Sequence, residues 1–276
     1  MSNRFYIDPN VSTKDNKRAV LCGDEAFHFC KVMRGRVGDE IFLFDGVGGL
    51  FRGVVDSISK SKLEIQLLEQ LVDCIESPLK LTIAAALPKG DRQKFLVEKL
   101  AELGVHRFIP ISLERSVARA DSGVISRFQR YVIEAAKQCG RNFLMEIKEE
   151  MTLDNFIKFS QNYNDRINVA QNNVESDEDS NVESKVDSNV VQQKFLRLIL
   201  HPVSLGVVGQ ITPKQLLNDK LPRNIVALIG PEGSFTDREI STCIESGFIP
   251  LAIGERILRT ETACVTIAAL LLPYAG

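Results

Sequence analysis

The sequence predicts an α/β protein, a mainly parallel sheet preceded by a small, mostly β unit. From about Leu79 onward, apolar runs alternate with amphipathic segments. Strand–helix–strand–helix order is the signature of a parallel sheet covered by helices. Residues 1–75 instead hold short runs rich in Ile, Leu, Phe and Val, divided by turns and without a long helical period. Ser77-Pro78 marks the change, so the chain divides into 1–75 and 76–276.

In the first part, Arg4 to Ile7 and Ala19 to Cys22 read as strands and Asp24 to Met33 as a short helix. Asp39 to Phe44, Gly53 to Ile58 and Lys62 to Leu68 are further strands. Asp45-Gly46-Val47-Gly48-Gly49 lacks the full Gly-x-Gly-x-x-Gly of a dinucleotide site and no helical pattern comes after it, so it reads as a hairpin turn. In the second part, Leu79 to Leu87 is a continuous apolar strand. Asp91 to Leu103 is a helix with Phe95, Leu96, Lys99, Leu100 and Leu103 on one face and Gly104 as its cap. Val105 to Ile111 is a strand, and a helix from Ser122 or Ser126 to Cys139 ends at Gly140. Phe195 to Leu200 is a strand ended by His201-Pro202, and Thr212 to Leu217 is a short helix with Pro213 at its first position.

The last 50 residues carry the densest signal. Ile225 to Ile229 is a buried strand entering Gly230-Pro231. Thr236-Asp237-Arg238-Glu239 is a capping box that starts a helix near Asp237, with Gly247 at its C-cap. Phe248 to Ile253 is a second strand, Gly254 opens a second loop, and the chain from Thr260 to Pro273 is an apolar, buried helix. Glycine-rich loops at the ends of adjacent strands are where an open α/β sheet binds its ligand. Gly230 and Gly233 let backbone approach such a ligand; the alternative is a plain turn. Glu255, Arg256, Arg259 and Glu261 crowd charge just before a buried helix, which a plain turn does not need.

Composition narrows the class. The chain is 44% hydrophobic and 25% charged, as soluble globular proteins are. No apolar run approaches the roughly 18 residues that span a bilayer, and no apolar segment comes after the N-terminus as a signal peptide requires. Cys22, Cys30, Cys74, Cys139, Cys243 and Cys264 form no Cys-x-x-Cys pair, which argues against a zinc ribbon or a disulfide framework and for buried free thiols in a reducing cytosol. Cys139 has no histidine near it in sequence and its helical position suits packing, not nucleophilic chemistry. The three histidines, His28, His106 and His201, lie too far apart to suggest a metal site.

The net charge of −2 conceals a division. Between Gln171 and Gln193 six acidic residues stand against Lys185 alone, whereas between Lys80 and Arg141 twelve Lys and Arg stand against six acids. A basic region of that kind is a footprint for nucleic acid; solvated helix faces are the plainer account of any one lysine. Lys89 and Arg92 lie at a strand-to-helix turn near the ligand edge. Arg115, Arg119 and Arg141 come after strand or helix ends where phosphates are met. The stretch 162–193 is rich in Asn, Ser, Asp, Glu and Gln, and buries too little apolar surface to offset the entropy of ordering, so it reads as a flexible acidic insertion.

Ile-Gly-Pro-Glu-Gly at 229–233 together with Leu-Arg-Thr-Glu-Thr-Ala at 258–263 resembles the bacterial 16S ribosomal RNA uridine N3-methyltransferases, a branch of the SPOUT class. Phe44-Asp45-Gly46, Pro88-Lys89-Gly90-Asp91, Glu114-Arg115-Ser116 and Gln138-Cys139-Gly140-Arg141 match the same family in order, so the resemblance covers nearly the whole chain. Ser234 departs from it, where most relatives carry a second glycine.

The resemblance implies a SPOUT-type mainly parallel sheet whose loops after Leu200, Ile229 and Ile253 form a C-terminal trefoil knot, with a PUA-like β-barrel at the N-terminus. It implies S-adenosylmethionine as cofactor, bent among Leu200, His201, Pro202, Gly230, Pro231, Glu232, Gly233, Ile253, Gly254, Ile257, Leu258, Arg259, Thr262 and Ala263. It implies a homodimer built on the knot, no membrane, a cytoplasmic location, and 16S rRNA within the small ribosomal subunit as partner, with Arg4, Arg34 and Arg36 at the barrel's basic positions. Uracil N3 carries a proton that the site must remove, or whose anion it must stabilise. Arg259 is placed to stabilise or orient that anion; Glu232 is a base, or else a partner for the ligand's charged end. Three alternatives stay open: a non-catalytic ribosome- or RNA-binding factor, a methyltransferase acting on another RNA, and a nucleotide-dependent oxidoreductase, which the missing glycine fingerprint disfavours.

Overall fold

The apolar runs marked as strands pair into two sheets in a computed structural model, which describes residues 3–9, 17–59, 62–72, 76–162, 195–202, 209–218 and 220–274. The chain separates into two units, Met1–Glu76 with Gln129–Met145, and Ser77–Phe128 with Glu146–Gly276. The grouping of 129–145 with the first unit has no counterpart in the sequence reading, which places 76–276 together.

In the first unit, β1 (Arg4–Tyr6), β2 (Arg18–Cys22), β3 (Glu40–Phe44), β4 (Leu50–Ile58) and β5 (Lys62–Leu71) form one sheet in the order β1-β3-β4-β5-β2. Phe5, Leu21, Ile41, Val55 and Ile65, one from each strand, share a single buried cluster. Both edge strands therefore face the same core, which requires the sheet to curl. The helix α1 (Gly23–Phe27) runs into a π-helical turn (His28–Val32) between β2 and β3. The glycine-rich 45–49 segment is the β3–β4 turn, held by Asp45 Oδ1, which accepts from the Val47 and Gly49 amides at 2.9 and 2.8 Å. Residues of 129–145 lock onto this unit: Ala136 packs with Phe44 and Leu50, and Lys137 Nζ pairs with Glu25 at 2.9 Å. The Glu25 carboxyl is pushed up mainly by burial, with Lys137 opposing.

The second unit is built on β6 (Lys80–Ala85), α2 (Arg92–Glu102), β7 (Arg107–Ser112), the start of α3 (Ser122–Cys139), β8 (Glu146–Ile147), β9 (Met151–Thr152) and α4 (153–162). It continues with β10 (Leu196–Leu200), α5 (Pro213–Asn218), β11 (Asn224–Ile229), α6 (Asp237–Glu245), β12 (Ile249–Leu251) and α7 (Thr260–Leu271). The seven strands run β12-β10-β11-β6-β7, with β8 and β9 both against β7, and every pair is parallel. Ile225 to Ile229 are all buried, as a central parallel strand covered on both faces must be, and this is why that run shows no polar alternation. The two-residue strands β8 and β9 are too short to read from sequence, and the helix α4 was passed over although Leu153, Phe156 and Ile157 stand at helical spacing.

Register fixes the edge that matters. Leu200, the last residue of β10, lies opposite Ile229 at the end of β11 and opposite Leu251 at the end of β12. Three parallel strands thus release their loops at one level. The expected acidic insertion falls almost entirely outside the described residues, as does Cys74, and the expected trefoil knot depends on the path of 203–208, also outside them. Among described cysteines, Cys243 and Cys264 are buried, but Cys22 is exposed at a sheet edge, against the expectation of burial. Burial pushes the Cys243 thiol up to about 12 and Cys264 higher still, so both stay protonated and inert. No described helix is long and apolar enough to cross a membrane.

Candidate functional site

The level strand ends surround a cleft that opens to solvent. Each strand contributes its last residue and part of the loop after it: Leu200, His201 and Pro202 from β10, Ile229 to Glu232 from β11, and Leu251, Ile253 and Gly254 from β12. Ile257, Leu258, Thr260 and Ala263 close it from the approach to α7 and its first turn. The walls are largely aliphatic, with His201, Glu232, Ser234, Arg256 and Thr260 as the lining residues that carry polar side chains.

Hydrogen bonds between loops hold this arrangement. Thr260, buried at the start of α7, donates from Oγ1 to the Gly230 carbonyl at 3.0 Å and ties the last helix to the loop after β11. His201 N–H donates to the Leu251 carbonyl at 3.0 Å, and Gln210 Nε2 to the His201 carbonyl at 2.7 Å. The capping box at α6 forms as read: Thr236 N–H donates to Glu239 Oε2 at 2.8 Å and Glu239 N–H to Thr236 Oγ1 at 3.3 Å. Glu239 has a further use, accepting the Glu114 amide at 2.9 Å. Arg115 Nη1 donates to the Gly233 carbonyl at 2.8 Å, so a residue read as an RNA contact also braces the loop.

Ser234 adopts φ 63°, the left-handed region, with its N–H donating to the Pro231 carbonyl at 2.9 Å. That explains why glycine suits this position. Gly230, read as a place of ligand approach, is filled from within: a Cβ there would lie 2.8 Å from the Phe235 ring. At Gly254 a Cβ would meet nothing within 4 Å.

Electrostatics divide the site. His201 is buried, and desolvation drives its pKa below 6.5, so the ring is neutral at neutral pH. Its Nδ1 faces the Pro202 carbonyl at 3.1 Å, which places the proton on Nδ1. A second cavity, lined by Arg92, Glu232, Ile257, Leu258 and Arg259, shares three of these residues with the cleft. In it Arg92 pairs with Glu232 and holds its carboxyl below the usual carboxylate range. Glu232 is therefore ionised but weakened as a base.

Of the fourteen residues read as cofactor contacts, the cleft gathers eleven. Gly233 sits against Arg115, Thr262 is exposed on α7, and Arg259 lines the second cavity. Ile229, Ser234, Phe235, Leu251, Arg256 and Thr260 line the cleft without having been read; each lies within two positions of a residue that was. Among the basic residues, Arg34, Arg36, Lys89 and Arg119 are exposed, Arg119 facing Glu150 at 3.4 Å. Arg4 is half-buried, donating to Asn142 Oδ1 at 2.7 Å, and stacks its guanidinium over Phe44. Arg141 is built into the fold: it is buried and grips Glu76 through two bonds of 2.7 and 2.8 Å, which turns it away from any phosphate.

Comparison with known proteins places this geometry. A family model described as an RNA methyltransferase domain matches residues 75–199 and 177–272, and one described as an RNA methyltransferase PUA domain matches 21–68. The ribosomal RNA small subunit methyltransferase E of Synechocystis is 31% identical over 84% of this chain, and the chain spans 65% of that relative's length. The protein of the same name from Bacillus subtilis is 29% identical over 88% of this chain and 85% of its own. Among solved structures, a methyltransferase from Legionella pneumophila with bound SAM superposes with a TM-score of 0.76 at 28% identity, covering 98% of this chain and 97% of that one. Ribosomal RNA small subunit methyltransferase E from Neisseria gonorrhoeae, bound to S-adenosyl methionine, gives 0.73 at 28% identity, covering 96% and 94%.

Proposed function

Because the chain belongs to the RNA methyltransferase family whose domain spans its residues 75–272, we propose that it methylates ribosomal RNA of the small subunit from S-adenosylmethionine, at N3 of one uridine in the 16S molecule. The observation that carries this reading is the level edge, where Leu200 lies opposite both Ile229 and Leu251 and three loops meet round one cleft.

The residues present fit the cofactor. A flat adenine suits the aliphatic walls of Leu200, Ile253, Leu258 and Ala263. The space beyond Gly254, which a Cβ would enter unopposed, admits a ligand against the backbone. S-adenosylmethionine supplies an electrophilic methyl on a positively charged sulfur. Ionised Glu232 at the rim complements that positive charge or the ligand's ammonium, a role its lowered basicity favours over that of general base. Arg259, on the side of the second cavity, orients the base or stabilises its anion.

Residues 1–75 form the RNA-holding module of this reading, with exposed Arg34 and Arg36 for phosphates. The enzyme works in the cytoplasm as a homodimer whose interface includes the loops around the cofactor. Two measurements test the whole. Calorimetry should give heat of binding with S-adenosylmethionine and none with NAD. Methylation mapping of ribosomal RNA from a strain lacking the gene should show one missing N3-methyluridine in 16S rRNA; an unchanged map removes the proposed substrate. Arg259→Ala should lower turnover about a hundredfold at saturating substrates, and normal turnover would remove the role given to Arg259.

A further inference from the structure

The buried carboxylate of Glu261 stands outside everything assigned so far. It lies in the first turn of α7, where the helix dipole favours a negative charge, and its side chain is 7% exposed. One oxygen faces Arg92 Nη1 at 3.5 Å, and the other, Oε2, has no hydrogen-bond partner among the described residues. A buried carboxylate with a spare acceptor is costly unless a donor comes to it.

Arg92 is the donor in reach. It occupies the first residue of α2, where a cation is disfavoured by that helix's own dipole. Two carboxylates offset this, and they differ. Glu261 is buried; Glu232 is 44% exposed and belongs to a loop. The guanidinium thus has one fixed partner and one that solvent or a ligand can replace, and it lines the second cavity, beside the cleft.

Resting on the methyl-transfer reading above, we propose that Arg92, tethered by Glu261, is a catalytic residue that exchanges Glu232 for a carbonyl oxygen of the target uracil and stabilises the ring when N3 loses its proton. Both carboxylates face the same nitrogen, Nη1, which carries two hydrogens, so it can keep one toward Glu261 and turn the other from Glu232 to the base. Donation to an oxygen flanking N3 leaves the nitrogen lone pair free. N3 gives its proton to solvent, and its electron pair then forms the bond to the methyl carbon. The carbon–sulfur bond breaks, its pair stays on sulfur, and a neutral thioether leaves. Glu261 is a positioning residue, acting through Arg92.

The test uses the full-length protein, small subunits from a strain lacking the gene, and labelled S-adenosylmethionine. At saturating substrates and neutral pH, Arg92→Ala should lower kcat about a hundredfold, while calorimetry shows an unchanged affinity for S-adenosylmethionine. The deficit should shrink as pH rises, because hydroxide replaces the missing stabilisation by about tenfold per pH unit. Arg92→Lys keeps the cation and should restore the wild-type shape of the pH profile, and Glu261→Gln should shift it in the same direction as Arg92→Ala but less. A kcat within twofold of wild type for Arg92→Ala, or a deficit equal at every pH, overturns the assignment. A wild-type protein that transfers no methyl to these subunits overturns the underlying reading and this role with it, and is distinguishable because no variant is needed to see it.

Discussion

The two glycine loops of the cleft look alike in sequence and differ in what requires the glycine. Gly230 lies over Phe235, which belongs to the buried core, and a methyl there would collide with the ring at 2.8 Å. Gly254 borders open space and has no positive φ. The protein's own packing explains the first glycine and says nothing about the second. A residue that the fold does not require, at the mouth of a cleft, points to what the cleft admits. A glycine-rich loop is therefore not one kind of signal: Gly230 serves the core, and Gly254 is left to the cofactor role proposed for it.

The same methyl placed at both positions separates the two roles. Gly230→Ala should destabilise the fold by about 1–3 kcal/mol, the usual cost of overpacking, seen as a lower denaturation midpoint without ligand. Gly254→Ala should leave that midpoint unchanged and weaken S-adenosylmethionine binding about tenfold, or 1.4 kcal/mol, by calorimetry. If Gly254→Ala unfolds the protein instead, or binds as wild type does, the contrast between the loops is lost.

A third substitution sharpens the contrast within the first loop. Ser234 holds φ 63°, which strains an L-residue by about 1–2 kcal/mol, while glycine costs back some backbone entropy. Ser234→Gly should thus raise stability by about 0.5–1 kcal/mol, with cofactor affinity unchanged. Loss of stability would mean that the serine side chain contributes more than the turn requires.

The smallest effect concerns the third loop. His201 has a folded pKa depressed by burial below its ordinary 6.5. Above that value both folded and unfolded chains hold it neutral. As pH falls through it, the unfolded chain takes up a proton that the fold resists, so stability drops. The melting temperature of the wild type should fall more between about pH 7.5 and about pH 5.5 than that of His201→Gln. Parallel curves would mean that the ring is not the group responsible.

Legibility obeyed the same division. The capping box at Thr236 to Glu239, the strand at Ile225 to Ile229 and the hairpin turn at Asp45 were readable because each depends on residues close in sequence. Eleven cleft residues were readable because they sit in the two paired motifs, at the ends of the strands at Leu200 and Ile253, or in the loop that Gly254 opens. Thr260 and Phe235 were passed over since their contacts, to the Gly230 carbonyl and across Gly230, join segments that the chain does not place together. Arg141 misled for the same reason. A lone arginine after a helix looks free until its partner, Glu76, 65 residues earlier, is seen.

The amino-acid order by itself determined the strand and helix sequence, the turn chemistry and the chemical character of the cleft, since periodicity, caps and glycines act over a few residues. Only the tertiary structure decided which arginines face outward, which glycine is packed against the core and which borders open space, and that Arg92 stands between a buried and an exposed carboxylate. Those properties belong to pairs of groups far apart in the chain, and burial and pairing are set only when distant segments meet.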